Sequence, residues 1–380
     1  MKKLFVIIFS FMLLNISLLA ENTYFDDISK FISGIKIESE NFKEQVKSKH
    51  FQNHISDMEK SWKEVYEKRL NFMKDWRDSE ISDAAKTTET LFYPFSGPDF
   101  LNAFIFFPNA KTYILFGLEP VGNLPDISSF TEKQIESYLA YLKKAVSDIF
   151  EKSYFFTKKM NSQLHKTQLD GVMPVIAFFL KSTNNNIKSI YILSFNDKGE
   201  MTETPYELKK EEITKDKKKN KEKEVKPLGV KFVFTNGTST DERSVMYFSQ
   251  DIGDNAFKVD SPLHKYFNSY SNFTTYIKSA SYLLHYSFMK NIRNLILDKS
   301  KYFLEDDTGI PYKYFKTGWD LKFYGIYIKP VDTFKDGENL YQQDLKEYYE
   351  KNKKTIPQLP FNLGYHWGKK KNILIFGTKK

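Results

Sequence analysis

Short apolar runs alternate with amphipathic stretches between Leu91 and Asn196, and this alternation restricts the chain to a layered α/β fold. Leu91-Phe92-Tyr93-Pro94-Phe95 is stopped by Ser96-Gly97-Pro98-Asp99. Residues 100–107 can form a turn or two of helix closed by Pro108, and Thr112-Tyr113-Ile114-Leu115-Phe116 is a buried-strand candidate that ends at Gly117. Residues 131–156 read as an amphipathic helix capped by Ser128 or Ser129. Residues 171–180 and 189–195 follow as apolar segments, the second rich in β-formers and stopped by Asn196-Asp197-Lys198-Gly199. The expected fold is α/β with a mixed sheet, opened by a Rossmann-like strand–helix–strand unit and preceded by a helical segment.

That helical segment is expected over residues 21–82. Ile55, Met58, Trp62, Val65, Tyr66, Arg69, Leu70 and Met73 recur at helical spacing, with the longer helix ending near Asp78. Residues 83–90 are polar and suit a linker, so the α/β domain is assigned to 91–380. Within it, residues 230–235 and 244–249 read as a hairpin, 276–285 and 288–303 as helices, and 320–328 and 372–376 as strands. No internal repeat is visible.

Residues 1–20 have the form of an export signal: Lys2 and Lys3, an apolar core from Leu4 to Leu14 broken only at Ser10, then Ala20 before Glu21. The compact lysine-bearing start is of bacterial type, so the expected location is the periplasm or the extracellular medium, with no transmembrane span after cleavage. The chain has no cysteine, which excludes thiolate nucleophiles, cysteine zinc sites and disulfides. About 360 mature residues can bury a core without such staples. The formal charge is +9, and the run from Lys209 to Lys226 carries nine lysines against five acids. That run has no aromatic and no arginine to interleave with the charge, so it reads as an exposed insertion and nucleic acid is not the expected partner.

The candidate site is Ser96, Gly97, Asp99 and Glu119, with Asp306 and Asp307. Glu119 lies 22 residues after Gly97, near the interval at which nucleotide-binding folds place a ribose-binding acid. The glycine fingerprint is absent, because Pro98 lacks an N–H and Phe100 and Leu101 crowd the turn. The segment can also be compared with methyltransferase-like folds that bind S-adenosylmethionine and tolerate a more varied loop; export argues against use of such a cofactor, and none is assigned. Glu305, Asp306 and Asp307 could offer oxygen ligands to Ca²⁺, but adjacent acids diverge and the expected reading is exposed acids at a helix end. Asp99 and Asp307 could also be imagined as a glycosidase pair. His50 and His54 share a helix face without a third metal ligand, and Ser281 and His285 lack a nucleophile elbow. No catalytic or metal residue is assigned.

Tyr93-Pro94-Phe95-Ser96-Gly97-Pro98-Asp99-Phe100-Leu101, taken with Leu115-Phe116-Gly117-Leu118-Glu119-Pro120-Val121-Gly122, resembles segments of uncharacterised exported bacterial proteins. The resemblance extends to residues 306–311 and to Gly318-Trp319-Asp320. It implies that both clusters belong to one fold and brings no catalytic residues. Tyr266, Phe267, Tyr270, Phe273, Tyr276, Tyr282 and Tyr286 crowd into 21 residues, with Trp319 and Trp367 beyond, and could line a groove. The expected function is therefore non-catalytic binding of an unknown ligand or protein partner. The alternative is an enzyme on a degenerate Rossmann-like scaffold with its site at Gly97, Asp99 and Glu119.

Overall fold

The computed structural model describes residues 23–155, 169–208, 228–315, 317–331, 340–369 and 372–380. The expected export signal and the lysine run lie outside these residues. The N-terminal segment forms helix α1 (residues 23–32), α2 (Lys49–Val65), a π-helical turn at Tyr66–Leu70, α3 (Asn71–Glu80) and α4 (Ser82–Thr87). The expected linker at 83–90 is thus mostly helical, because Ala84 and Ala85 bury themselves despite their polar neighbours.

The α/β part begins with β1 (Thr90–Tyr93), α5 (Phe100–Phe106) and β2 (Thr112–Gly117), as the alternation predicts. Then come α6 (Glu132–Lys152), α7 (Met173–Ser182), β3 (Asn185–Phe195), β4 (Met201–Pro205), β5 (Gly229–Asn236) and β6 (Arg243–Ser249). The cap of α6 is Thr131, in a capping box with Gln134, and not Ser128 or Ser129, which sit in the preceding 3₁₀ turn. The last third holds α8 (Pro262–Asn268), β7 (Phe273–Ile277), α9 (Lys290–Lys299), β8 (Ser300–Glu305), β9 (Trp319–Gly325), α10 (Gln343–Lys351) and β10 (Ile373–Lys379). Two helix expectations fail here. Residues 276–285 begin inside β7 and pass into a turn, and the helix expected over 288–303 stops at Lys299 so that Ser300–Glu305 can be a strand.

The ten strands form one mixed sheet in the order β4-β3-β5-β6-β2-β1-β7-β8-β10-β9. The central five, β6-β2-β1-β7-β8, are parallel, and antiparallel pairs flank them on both sides. Side chains alternate between two cores. Leu91, Tyr93, Tyr113, Leu115 and Tyr247 face one packed by α1 to α3 and α5 to α7. Phe92, Ile114, Phe116, Met246 and Phe248 face the other, under α8 to α10. Such fully buried side chains contribute roughly 1.5–3 kcal/mol each, and both faces being covered is the usual condition for parallel strands.

Candidate functional site

The order of the central strands contains a reversal. From β1 the chain steps to β2 and on to β6 on one side, then returns to place β7 and β8 on the other. Loops at the carboxyl ends of the strands diverge at such a point, and this is where α/β folds collect ligand groups. All six expected site residues lie along that edge: Ser96, Gly97 and Asp99 after β1, Glu119 after β2, and Asp306 and Asp307 after β8. Lys278 to Tyr282, after β7, complete it. The sequence reading missed this fourth segment because it took β7 for helix; the β-branched and aromatic Phe273-Thr274-Thr275-Tyr276-Ile277 was the available signal.

These groups are buried and committed to one another. Asp99 caps α5, accepting the Asn102 backbone N–H at 3.1 Å, and its carboxylate also accepts the Tyr93 hydroxyl at 3.0 Å. Lys278 Nζ lies 3.0 Å from Asp99 Oδ2 with both side chains 1% exposed, and it also donates to the Ser153 carbonyl. Burial pulls the Lys278 ammonium below its ordinary value, while Asp99 opposes that shift. Ser96 locks the first loop to β2: its Oγ accepts the Phe116 N–H at 3.0 Å, and the Gly97 N–H donates to the Phe116 carbonyl at 2.8 Å. Glu119 is 1% exposed, and the Tyr247 hydroxyl lies 3.2 Å from its Oε2 and 2.9 Å from its carbonyl.

Asp306 and Asp307 are also buried, which overturns the expectation of exposed acids on a helix end. They extend β8 into the interior, where the Ser279 N–H reaches Asp306 at 2.9 Å and the Tyr282 hydroxyl reaches Asp307 at 2.6 Å. Desolvation pushes both carboxyls up to about 6, and for Asp306 repulsion from Asp307 adds to it. His366 Nε2 is 3.8 Å from Asp307, so that histidine has an acidic neighbour the sequence did not suggest. Asp99 pairs with Lys278 and Tyr93, and Asp307 with Tyr282 and His366, so each carboxylate has its own set of partners. Ser279, Ser281 and Tyr282 all carry positive φ (52°, 52° and 56°), a strained run of non-glycine residues at the reversal.

The other candidates resolve into packing. His54 is buried with Nε2 2.9 Å from the Ile32 carbonyl, and no group of three or more metal-type side chains forms among the described residues. Ser281 Oγ pairs with the Tyr365 hydroxyl at 3.1 Å, and burial pulls His285 down to about 4. Phe267, Phe273, Tyr276 and Tyr282 are core, Tyr266 and Tyr270 bond each other at 2.9 Å, and of the expected groove residues Trp367 lines a cleft.

This cleft, of about 480 Å³, opens between α2, the π turn, α6 and a 3₁₀ turn at Gly364–Lys369. Met58, Val65, Arg69 and Val146 are its buried part, Phe150 and Trp367 flank them, and Glu64, Lys68, Lys143 and Glu151 are exposed around it. The turn that carries Trp367 also supplies Gly364, whose N–H donates to Ser153 Oγ at 3.1 Å, and Arg69 lies close enough to Asp99 and Lys278 to feel their charges, so the cleft abuts the buried polar cluster. Among the described residues no helix is long and apolar enough to cross a membrane. No family model, curated protein or solved structure matches this chain.

Proposed function

We propose that this is a non-catalytic binding protein whose ligand enters the cleft beside Trp367. The observation that carries this reading is a contrast. The carboxyl edge of the sheet, where a cofactor would sit, is filled by the protein's own Asp99–Lys278 pair, whereas the cleft has the size and apolar lining of a ligand site. A neutral fluorescent probe, N-phenyl-1-naphthylamine, should bind with one site per chain, and Ser147→Trp, which puts a large ring on the cleft wall that α6 supplies, should abolish binding. Binding that survives Ser147→Trp, or no binding to the wild type, sinks the reading.

The alternative enzyme reading has one observation in its favour. Gly97, Asp99 and Glu119 follow β1 and β2 at the carboxyl edge of five parallel strands, where α/β folds collect ligand groups. Against it stands Glu119, which is turned inward to accept the Tyr247 hydroxyl and packs so closely on Gly117 that a Cβ there would lie 2.2 Å from its Oε2, so the acid is already engaged by the protein itself. Calorimetric titration with S-adenosylmethionine should give no heat of binding; a micromolar site would revive the enzyme.

Export belongs to the same reading. Residues 1–20 are proposed as a cleaved signal, with the mature chain starting at Glu21 outside the cytoplasm. Intact-mass measurement of native protein should show loss of Met1 to Ala20, and membrane-bound material that retains them would refute it.

A further inference from the structure

Arg69 is the odd residue in the cleft. It belongs to the buried stripe of the N-terminal helices, yet it is a guanidinium only 7% exposed. Its Nη2 donates to the Ile149 carbonyl at 2.7 Å, and its Nε is buried with no hydrogen-bond partner. Among the described residues no carboxylate forms an ion pair with it. The nearby exposed cations differ: Lys68 pairs with Glu64, and Lys143 pairs with Asp57 at 2.6 Å. Burial pulls the Arg69 guanidinium down to about 10, opposed only through space, first by Asp99, a carboxylate already paired with Lys278. Burying a charge without an anion of its own is costly, and a guanidinium is built to hold a planar anion through two parallel N–H bonds.

The backbone singles out the same residue. The chain from Lys49 to Glu80 is helical throughout, but it widens into a π turn at Tyr66–Leu70, and both adjacent residues Arg69 and Leu70 are buried there. Neighbours on a regular helix point about 100° apart, and π turns of this kind recur at functional sites. Around Arg69 the cleft is apolar: Met58, Val65, Val146, Phe150 and Trp367.

From this arrangement we infer that the cleft takes an amphipathic monoanion, an apolar chain or ring with a terminal carboxylate, whose head pairs with Arg69 and whose body lies against Trp367 and Phe150. One guanidinium, with Nη2 already given in part to the Ile149 carbonyl, suits a single carboxylate better than a phosphate dianion, which would need more donors. The inference rests on the cleft reading given above.

Competition against bound N-phenyl-1-naphthylamine with decanoate and decanol tests it, because the two differ only in the head group. Decanoate should displace the probe from the wild type at a concentration at least about tenfold lower than decanol. Arg69→Met should cut that advantage to within about threefold while leaving displacement by decanol unchanged, and Lys143→Gln should retain it. Equal displacement by the two, or an advantage that survives Arg69→Met, overturns the inference. Should Arg69→Met fail to fold, carboxyl-labelled decanoate on the wild type decides: its bound ¹³C resonance should stay ionised at least about one pH unit below the free acid, and a bound signal titrating like the free acid refutes the pairing. Failure of the neutral probe to bind defeats the cleft itself, whereas probe binding without a carboxylate preference defeats only the Arg69 assignment.

Discussion

Burial makes the Glu119 carboxylate depend on the protein for its hydrogen bonds, and the Tyr247 hydroxyl at 3.2 Å supplies one. Glu119→Gln should therefore lower stability by about 1–3 kcal/mol in chemical denaturation; an unchanged or raised midpoint would mark a group held in readiness for a ligand. The Asp99–Lys278 pair raises the stakes. Lys278→Met leaves the buried Asp99 carboxylate without its ion-pair partner and should cost about 3–5 kcal/mol, while adding Asp99→Asn should recover part of the loss. Simple additivity of the two losses would show that the groups do not act as a pair. The acids after β8 carry a pH signature. Desolvation holds this pair of carboxyls above the ordinary value of 3.8 in the fold, so on the acid side of neutrality the folded state binds more protons than the unfolded one. Stability from this source must fall as pH rises from about 4 to about 6 and then level off. His54 and His285, both pulled down by burial, push the other way in the same window, so the difference between proteins is the useful quantity. Melting temperatures of Asp307→Asn should gain on the wild type across that window, and a constant offset would contradict the assignment.

At the scale of elements, close approach between loops fixes what the first strands can carry. A Cβ on Gly117 would meet Glu119 Oε2 at 2.2 Å, Tyr247 Oη at 2.6 Å and the Gly97 Cα at 3.1 Å. Gly117→Ala should destabilise by roughly 1–3 kcal/mol, read from the denaturation midpoint, because the end of β2 has no slack. Elements with a local signature were legible in the sequence: β1, α5 and β2 come bounded by Gly97, Pro108 and Gly117, and the β5–β6 hairpin by Asn236-Gly237. Elements defined by distant partners were not. Phe273–Ile277 has helix-compatible aromatics on its C-terminal side, and only pairing with Leu91 and Phe92 on one side and with β8 on the other makes it a central strand. The same holds for the site. The six residues chosen from sequence do share one edge, but Lys278, which fills that edge, and Arg69, which faces the cleft, look in sequence like one more lysine and one more helix-face arginine. Their distinction is burial, which spacing does not report.

Over the whole molecule, one sheet ties both halves of the chain together, and the lysine run enters between two strands that both pair with β3. Replacing residues 209–226 by a short glycine–serine linker keeps the chain closed and removes no apolar burial seen in the described residues, so the melting temperature should change little; a large drop would assign the run a structural role. The central position of β1 has a consequence for how the protein comes into being. β2 forms on one side of β1 within a few dozen residues, but its other neighbour, β7, begins only at Phe273. A chain synthesised as far as Ser249 would hold β6, β2 and β1 in register while the far side of β1, apolar and unpaired, awaits a strand not yet made. Such an open edge is an invitation to pair with another chain, so a fragment ending near residue 255 should aggregate at a lower concentration than the full-length protein under the same conditions, and equal aggregation of the two would contradict this.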